Sequence, residues 1–255
     1  MIKNLWKYRH LVKRLAVSDF KVRYKNSVLG FFWSLLEPLL MLLVLYIVFA
    51  DIFPSTQENY HLFLLLGIAL WDFFAKGTSM GLQGILSKPG MVRQVYIPRE
   101  ILIFSSSLTA LMMAVLELGV FGIFMAISGL MPTSTIIYLP LIFMTIFIIV
   151  FGSSLALGAL NTYYRDVQYI WAVILQAGFF ASGVFIDFST YQGDLKRLLL
   201  LNPMARILLI SRDCVLYNKV VSSWDLTFCL ASSLVILLIG YFIFSKLEPG
   251  FAEEV

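Results

Sequence analysis

Charge is scarce in this 255-residue chain. Only 13% of its residues are Asp, Glu, Lys or Arg, whereas 60% are hydrophobic. A soluble globular domain carries roughly a quarter charged residues and about half apolar ones. The composition therefore excludes a soluble enzyme and indicates an all-α membrane protein.

The chain also lacks the residue patterns of metal and nucleotide sites. It has two histidines and two cysteines, without HExxH or CxxC, and it contains no GxxxxGK[ST] sequence. We therefore expect no metal site and no P-loop of its own, so nucleotide energy would come from a partner. Cys214 and Cys229 fall in a predicted loop and a predicted span, and we expect no disulfide between them.

Long apolar runs are what the chain has in abundance. The run 226–244 contains no charged residue and is long enough to cross a hydrocarbon core of about 30 Å. The predicted spans are 28–52, 61–85, 101–130, 136–160, 168–186 and 226–244. Because they use nearly all of the chain, we predict six transmembrane helices in one domain. There is no internal repeat, which disfavours an inverted-repeat carrier.

The distribution of Lys and Arg gives the orientation. If the loops alternate between two sides, one side carries 14 of the 19 basic residues, and the positive-inside rule makes both termini cytoplasmic. The net charge of +4 is then a topology signal, and no nucleic-acid partner is expected. The first apolar run is too long for a signal peptide, so we expect it to remain as a membrane anchor.

Two segments outside the spans have helical patterns. At the N-terminus, Ile2, Leu5, Tyr8, Val12 and Leu15 recur at helical spacing among basic residues. This pattern predicts an amphipathic interfacial helix with its apolar stripe in lipid, or else a simple topogenic charge cluster. Between spans 5 and 6, residues 187–225 contain two apolar stretches broken at Pro203. They predict a short external re-entrant helical hairpin, or equally a surface helix pair.

A few charges and small residues lie within the spans. Glu117 is near the middle of span 3, where an acid is a candidate functional residue; we favour a structural, hydrogen-bonded role because span 3 offers no second titratable group. Glu37 lies near the start of span 1. Asp72 and Lys76 are one turn apart and should pair. Gly152, Ser154 and Gly158 give span 4 a face for close packing, inside the chain or at a dimer seam.

Residues 19–39, DFKVRYKNSVLGFFWSLLEPL, carry the most specific pattern. They resemble the first part of ABC-2 type permeases, in particular the polysaccharide, O-antigen and teichoic-acid exporters. The matching residues are Asp19, Lys21, Arg23, Tyr24, Ser27, Leu29, Gly30, Trp33, Pro38 and Leu39, followed by Gly67, Trp71, Phe73, Phe74, residues 92–100, residues 164–166 and residues 199–205. The resemblance covers essentially the whole chain, with one departure at Glu37, where relatives usually carry a neutral residue.

The resemblance implies a single ABC-2 transmembrane domain. Its parts are an interfacial segment 1–27, a six-span bundle 28–246 and a cytoplasmic tail 247–255. Such a permease works as a homodimer in the bacterial inner membrane, together with two ATPase subunits that hold ATP and Mg. Its substrate is a lipid-linked glycan, and its other partners are membrane lipids. The chain itself would catalyse no bond change.

The resemblance also suggests where coupling and transport take place. A cytoplasmic coupling helix would contain Lys88, Pro89, Val95, Tyr96, Arg99 and Glu100. A glycan path needs weak, repeated contacts, which aromatic faces provide; the channel-lining candidates are Trp33, Tyr46, Phe49, Phe179 and Phe185, each of which could instead face lipid. The alternatives are an exporter of drugs or small lipids and a proton-coupled carrier using Glu117. A membrane-embedded enzyme is disfavoured because no cluster of acids or histidines is present.

Overall fold

The fold comes from a computed structural model, which describes residues 1–255 except 26, 28, 53–58, 95–96, 132, 189–192 and 252–255. All regular structure in the described residues is helical, as predicted. The helices are α1 Ile2–Lys7, α2 Arg9–Arg23, α3 Trp33–Ile52, α4 Tyr60–Gln83, α5 Pro89–Gln94, α6 Glu100–Ile127, α7 Leu139–Tyr163, α8 Val167–Ala181, α9 Asp194–Leu199, α10 Pro203–Val215 and α11 Ser223–Leu247. Short 3₁₀ turns cover Gly30–Phe32, Ser134–Tyr138 and Glu248–Gly250.

Four of these helices are long and apolar enough to cross a membrane. They are α4, α6, α7 with its preceding 3₁₀ turn, and α11 with the turn that follows it. Trp33–Phe49 of α3 and the whole of α8 are apolar but shorter. The run predicted as span 5 continued to residue 186, whereas α8 ends at Ala181 because Gly183 turns the backbone at a φ of +74°. Fifteen residues make α8 about 22 Å long.

Helix α4 forms the centre of the bundle. It packs against α3, α6, α7, α8 and α10, and its side chains from Leu62 to Leu66 are fully buried. A helical stretch that is apolar on every face, as residues 62–71 of α4 are, is expected at such a position. The residues of α4 are therefore those best placed to connect the outer helices with one another.

Small residues allow α7 to approach its neighbours closely. A Cβ at Gly152 would lie 2.6 Å from Leu237 Cα of α11, and a Cβ at Gly240 would meet the Gly152 carbonyl oxygen. On another side of α7, a Cβ at Gly158 would lie 3.0 Å from the Gly81 oxygen of α4. The small-residue face predicted on span 4 is therefore used for packing inside the chain.

The N-terminal pattern forms two helices, α1 and α2, separated at Tyr8. The interpretation that the apolar stripe lies in lipid was wrong for Val12, and for the other members of the stripe it stays a prediction. Val12 and Ala16 are buried, and Thr109 of α6 donates a hydrogen bond to the Ala16 carbonyl oxygen at 3.2 Å. Helical periodicity identifies the face that is covered, but it does not distinguish a lipid cover from a protein cover.

The break predicted at Pro203 is confirmed. Asn202 caps α10, because its side-chain oxygen accepts a hydrogen bond from the Met204 backbone N–H at 3.0 Å, and Pro203 occupies the first helical position. The preceding helix α9 ends at Leu199. Helix α10 packs against α4, α7 and α11, so it belongs to the body of the protein.

Candidate functional site

Lys76 of α4 connects three of the bundle helices through ion pairs. Its Nζ lies 2.8 Å from Glu37 Oε2 of α3, 2.8 Å from Asp72 Oδ2 of α4 and 3.0 Å from Glu117 Oε1 of α6. A lysine ammonium has three N–H donors, so each of them has a carboxylate partner. We refer to these four residues as the Lys76 cluster.

The members of the Lys76 cluster differ in burial. The Glu117 side chain is 2% exposed and that of Glu37 is 56% exposed, with Asp72 and Lys76 between them. Glu117 Oε2 is buried and has no hydrogen-bond partner among the described residues. The cluster holds three carboxylates and one ammonium, so its charges are not balanced if all are ionised.

The sequence predicted only part of this cluster. The Asp72–Lys76 pair is confirmed, since it follows from the spacing of four residues on one helix. The ion pair between Glu117 and Lys76 was not predicted, because the two residues lie on different spans. Spacing within one helix gives no information about which faces of different helices meet.

Aromatic side chains meet where α3, α4 and α8 approach one another. Phe49 stacks on Phe185 with ring centroids 4.7 Å apart, and Phe179 lies 6.2 Å from the same ring. Trp71 meets Phe179 edge to face at 6.1 Å, and Phe180 meets Phe185 at 5.5 Å. We refer to these five residues as the aromatic cluster. Three of the five channel candidates belong to it.

The remaining channel candidates are apart from the aromatic cluster. Tyr46 is 45% exposed and lies near Tyr60 with a centroid distance of 6.4 Å, while Trp33 is exposed at the start of α3. Within the cluster, Phe185 is 9% exposed and Phe180 is 57% exposed. The Phe180 ring is thus more accessible than that of Phe185, although Phe180 is not among the sequence-predicted channel residues. The lining of a channel by these residues stays a prediction.

Arg212 of α10 holds the segment that follows α8. Its Nη1 donates to the Gly183 carbonyl oxygen at 2.7 Å, and its Nη2 donates to the Val184 oxygen at 2.6 Å and to the Phe63 oxygen at 3.3 Å. The guanidinium also lies over the Phe63 ring, 3.4 Å from its centroid. Arg212 was not among the sequence-predicted site residues, yet it fixes the backbone that carries Phe185.

Two coupling candidates contact the N-terminal helices. Lys88 Nζ donates to Asp19 Oδ2 of α2 at 2.6 Å. Glu100 Oε1 accepts from Asn4 Nδ2 of α1 at 3.1 Å, and Glu100 is buried. These side chains position the segment between α4 and α6 against α1 and α2.

The other coupling candidates lie at the edge of the same segment. Arg99 Nη1 donates to the Glu248 carbonyl oxygen at 2.8 Å, which connects the segment to the turn after α11. Pro89 is exposed at the start of α5. Val95 and Tyr96 lie outside the described residues. The docking role of all these residues stays a prediction.

The described residues offer no group of three or more His, Cys, Asp or Glu placed to hold a metal ion. The acids of the Lys76 cluster instead converge on the lysine ammonium. Cys214 and Cys229 are both free and buried. The chemistry of the site is therefore ion pairing, hydrogen bonding and aromatic contact.

Comparisons with known proteins show the family of the chain. Residues 10–216 match the ABC-2 type transporter family. The chain is similar to an O-antigen export system permease protein RfbA of Myxococcus xanthus, with 28% identity over 100% of this chain and 99% of that protein. It is also similar to an RfbA of Klebsiella pneumoniae, with 25% identity over 98% and 96% of the two chains, and to the polysialic acid transport protein KpsM of Escherichia coli, with 22% identity over 94% of each. Because the match covers most of its length and extends through α3, α4, α6 and α8, the chain belongs to the ABC-2 type transporter family.

Proposed function

We propose that this chain is the transmembrane permease subunit of an ABC exporter that moves a lipid-linked polysaccharide, similar to an O-antigen, outward across the bacterial inner membrane. The observation that carries the proposal is the match along the full chain to O-antigen export permeases. The six apolar helices would form six spans, with α3 and α8 completed by the residues that flank them. Both termini would be cytoplasmic.

The energy for transport would come from an ATPase partner that binds ATP and Mg. The segment from Lys88 to Glu100 would dock on that partner. Its contacts with Asp19, Asn4 and Glu248 support this role, because they connect the segment to both ends of the chain. A movement imposed on the segment would therefore reach α1, α2 and the end of α11 together.

The transport path would lie between two copies of the chain, along α3 and α8. Both helices present large exposed apolar faces in the single chain. Tyr46 and Phe180 are exposed aromatic residues on these faces, and Phe180 belongs to the aromatic cluster. Rigid aromatic planes can contact successive sugars weakly and without the desolvation cost of charged walls. Trp33 would lie near the cytoplasmic entrance.

A gene deletion tests the proposal in the organism that makes the protein. Loss of the chain should remove the surface polysaccharide while the lipid-linked glycan accumulates at the cytoplasmic face of the inner membrane. Loss of the ATPase subunit should give the same phenotype, and the wild-type gene should restore export. If the surface polysaccharide persists and the cells instead become sensitive to small toxic compounds, the chain is a drug or small-lipid exporter.

A further inference from the structure

Helix α3 is attached to the rest of the bundle mainly along one side. The buried side chains described on it are Pro38, Leu42 and Leu45, with Ser34 near its start. Its opposite side exposes Leu40, Met41, Leu43, Val44, Ile47 and Val48. Helix α4, in contrast, is covered on all sides. Of the two, α3 is the helix that can move with less loss of packing.

The attachment of α3 near its first turns includes an ion pair. Glu37 Oε2 lies 2.8 Å from Lys76 Nζ, one turn after Trp33. Glu37 is the member of the Lys76 cluster that α3 contributes. Asp72 is on the same helix as Lys76, and Glu117 is on α6, so neither of their ion pairs would change if α3 moved alone.

Burial makes the Glu37 ion pair the one that is easiest to break. Its side chain is 56% exposed, compared with 21% for Asp72 and 2% for Glu117. An exposed ion pair contributes little to stability, whereas breaking a buried pair leaves an uncompensated charge. An exposed acid in an otherwise apolar span also indicates that this side of α3 faces water or a polar surface rather than lipid.

The charges of the cluster favour an exchangeable pair as well. If Glu37 leaves, Lys76 still has the carboxylates of Asp72 and Glu117 within 3.0 Å. The ammonium therefore remains paired, and the repulsion between Glu37 and the other two acids is relieved. Loss of the ion pair and relief of repulsion have opposite signs, so they reduce the free-energy difference between the two positions of α3.

We propose that the Glu37–Lys76 ion pair is a releasable tether that holds α3 against α4 and α6 in the resting permease and breaks when α3 moves to open the path. Glu37 is then a positioning residue for α3. The role of α3 as a wall of the path rests on the proposed function. The tether itself requires only that α3 moves in an ABC-2 transporter.

A distance measurement on the assembled transporter tests the tether. Spin labels are placed at Leu40 of α3 and at Leu238 of α11, which are both exposed. Cys214 and Cys229 are replaced by Ala, and labelled chains are diluted with unlabelled ones so that each distance lies within one copy. The full-length chain is studied in lipid nanodiscs with its ATPase subunit by double electron–electron resonance.

Asp72→Asn is the matched control for Glu37→Gln. Both variants remove one carboxylate from Lys76, but only Glu37 connects Lys76 to α3. The distance should shift by about 2 Å or more, or its distribution should broaden, in Glu37→Gln without nucleotide. Asp72→Asn should match the unsubstituted chain. Binding of a non-hydrolysable ATP analogue to the unsubstituted chain should move the distance toward that of Glu37→Gln.

Three results would overturn the tether. One is a Glu37→Gln distance identical to that of the unsubstituted chain. Another is an equal shift in both variants, which would reflect loss of charge and not loss of the α3 contact. The third is a nucleotide-bound distance that does not change. None of these measurements uses a glycan, so an error in the proposed substrate would show in the gene deletion and leave this test valid.

Discussion

Gly67 of α4 lies directly beneath the guanidinium of Arg212 in α10. A Cβ at Gly67 would meet Arg212 Nη2 and would lie 2.9 Å from the Val184 carbonyl oxygen. The absence of a side chain at Gly67 thus gives Arg212 its access to the carbonyl groups of Gly183 and Val184. The two residues together fix the turn that carries Phe185 of the aromatic cluster.

We expect Gly67→Ala to destabilise the protein through this contact. The added methyl group must displace a buried guanidinium and backbone at once, and overpacking of this kind costs about 2 kcal/mol. In a chain of this size the midpoint of thermal unfolding should fall by roughly 5 °C. Gly122→Ala is the control, because nothing lies within 4 Å of a Cβ at Gly122. Equal melting of the two variants in detergent would contradict the role of Gly67.

The sequence predicted the helices of this site but not the contacts between them. Apolar runs revealed α4 and α10, and the spacing of Asp72 and Lys76 predicted their pair because both lie on one helix. Arg212 was overlooked, since its three carbonyl partners come from segments about 28 to 149 residues away. Contacts between residues so far apart in the sequence depend on how the helices pack. Local periodicity does not encode that packing.

Substitutions in the Lys76 cluster should differ in how strongly they reduce assembly and export. In Glu117→Gln, Lys76 keeps two carboxylates and the amide can still accept a hydrogen bond, so export should survive with little dependence on pH. In Lys76→Met, the buried Glu117 loses its ion pair with Lys76, and breaking a buried pair costs about 3–5 kcal/mol. The amount of assembled complex and the export rate should therefore fall much further in Lys76→Met.

Measurement of surface polysaccharide at several pH values, with the quantity of complex in the membrane as the control, separates the two roles of Glu117. Complete loss of export by a normally assembled Glu117→Gln protein would favour ion-coupled transport. In that case the structural interpretation of Glu117 would be wrong.

Membrane orientation can be measured with thiol labels. Val220, which precedes α11, is 74% exposed, so Val220→Cys should react with an impermeant maleimide on spheroplasts. Gln83 is the last residue of α4 and lies on the side predicted to be cytoplasmic. Gln83→Cys should therefore react only in inverted vesicles. Cys214 should react slowly from either side, because burial raises the pKa of its thiol to about 11 and the thiolate is the reactive form. Labelling of Val220→Cys only in inverted vesicles would contradict cytoplasmic termini.

The N-terminal helices show a second limit of the sequence. Val12 was correctly expected on a covered face, but it is buried together with Ala16, which packs on α6 and not in lipid. Apolar side chains lose water in either environment, so their spacing is the same. The polar contact that distinguishes the two, from Thr109 to the backbone of α2, comes from a residue about 93 positions away.

Coupling to the ATPase should depend on the residues after α5. We expect the double substitution Val95→Ala and Tyr96→Ala to lower ATPase binding or the hydrolysis that accompanies transport, because a large aromatic anchor often dominates such an interface. Lys88→Met should also reduce coupling, through loss of its bond to Asp19 at 2.6 Å. Membrane insertion should be unchanged in each case. Co-purification with the ATPase subunit and measurement of its hydrolysis provide the test, and unaltered export in the double variant would exclude a docking role.

Photocrosslinking can identify the wall of the path. A photoreactive phenylalanine at Tyr46 or Phe180 should form adducts with the lipid-linked glycan during export, because both positions are exposed on α3 and α8. The same probe at Phe185, which is 9% exposed, should give fewer adducts. Ile123 of α6 and Met144 of α7 are controls that are at least as exposed and should face lipid. Sugars that slide along a path stay within reach of its walls, whereas lipid-facing positions meet only acyl chains. Adducts confined to α6 and α7 would place the path elsewhere, even in a polysaccharide exporter.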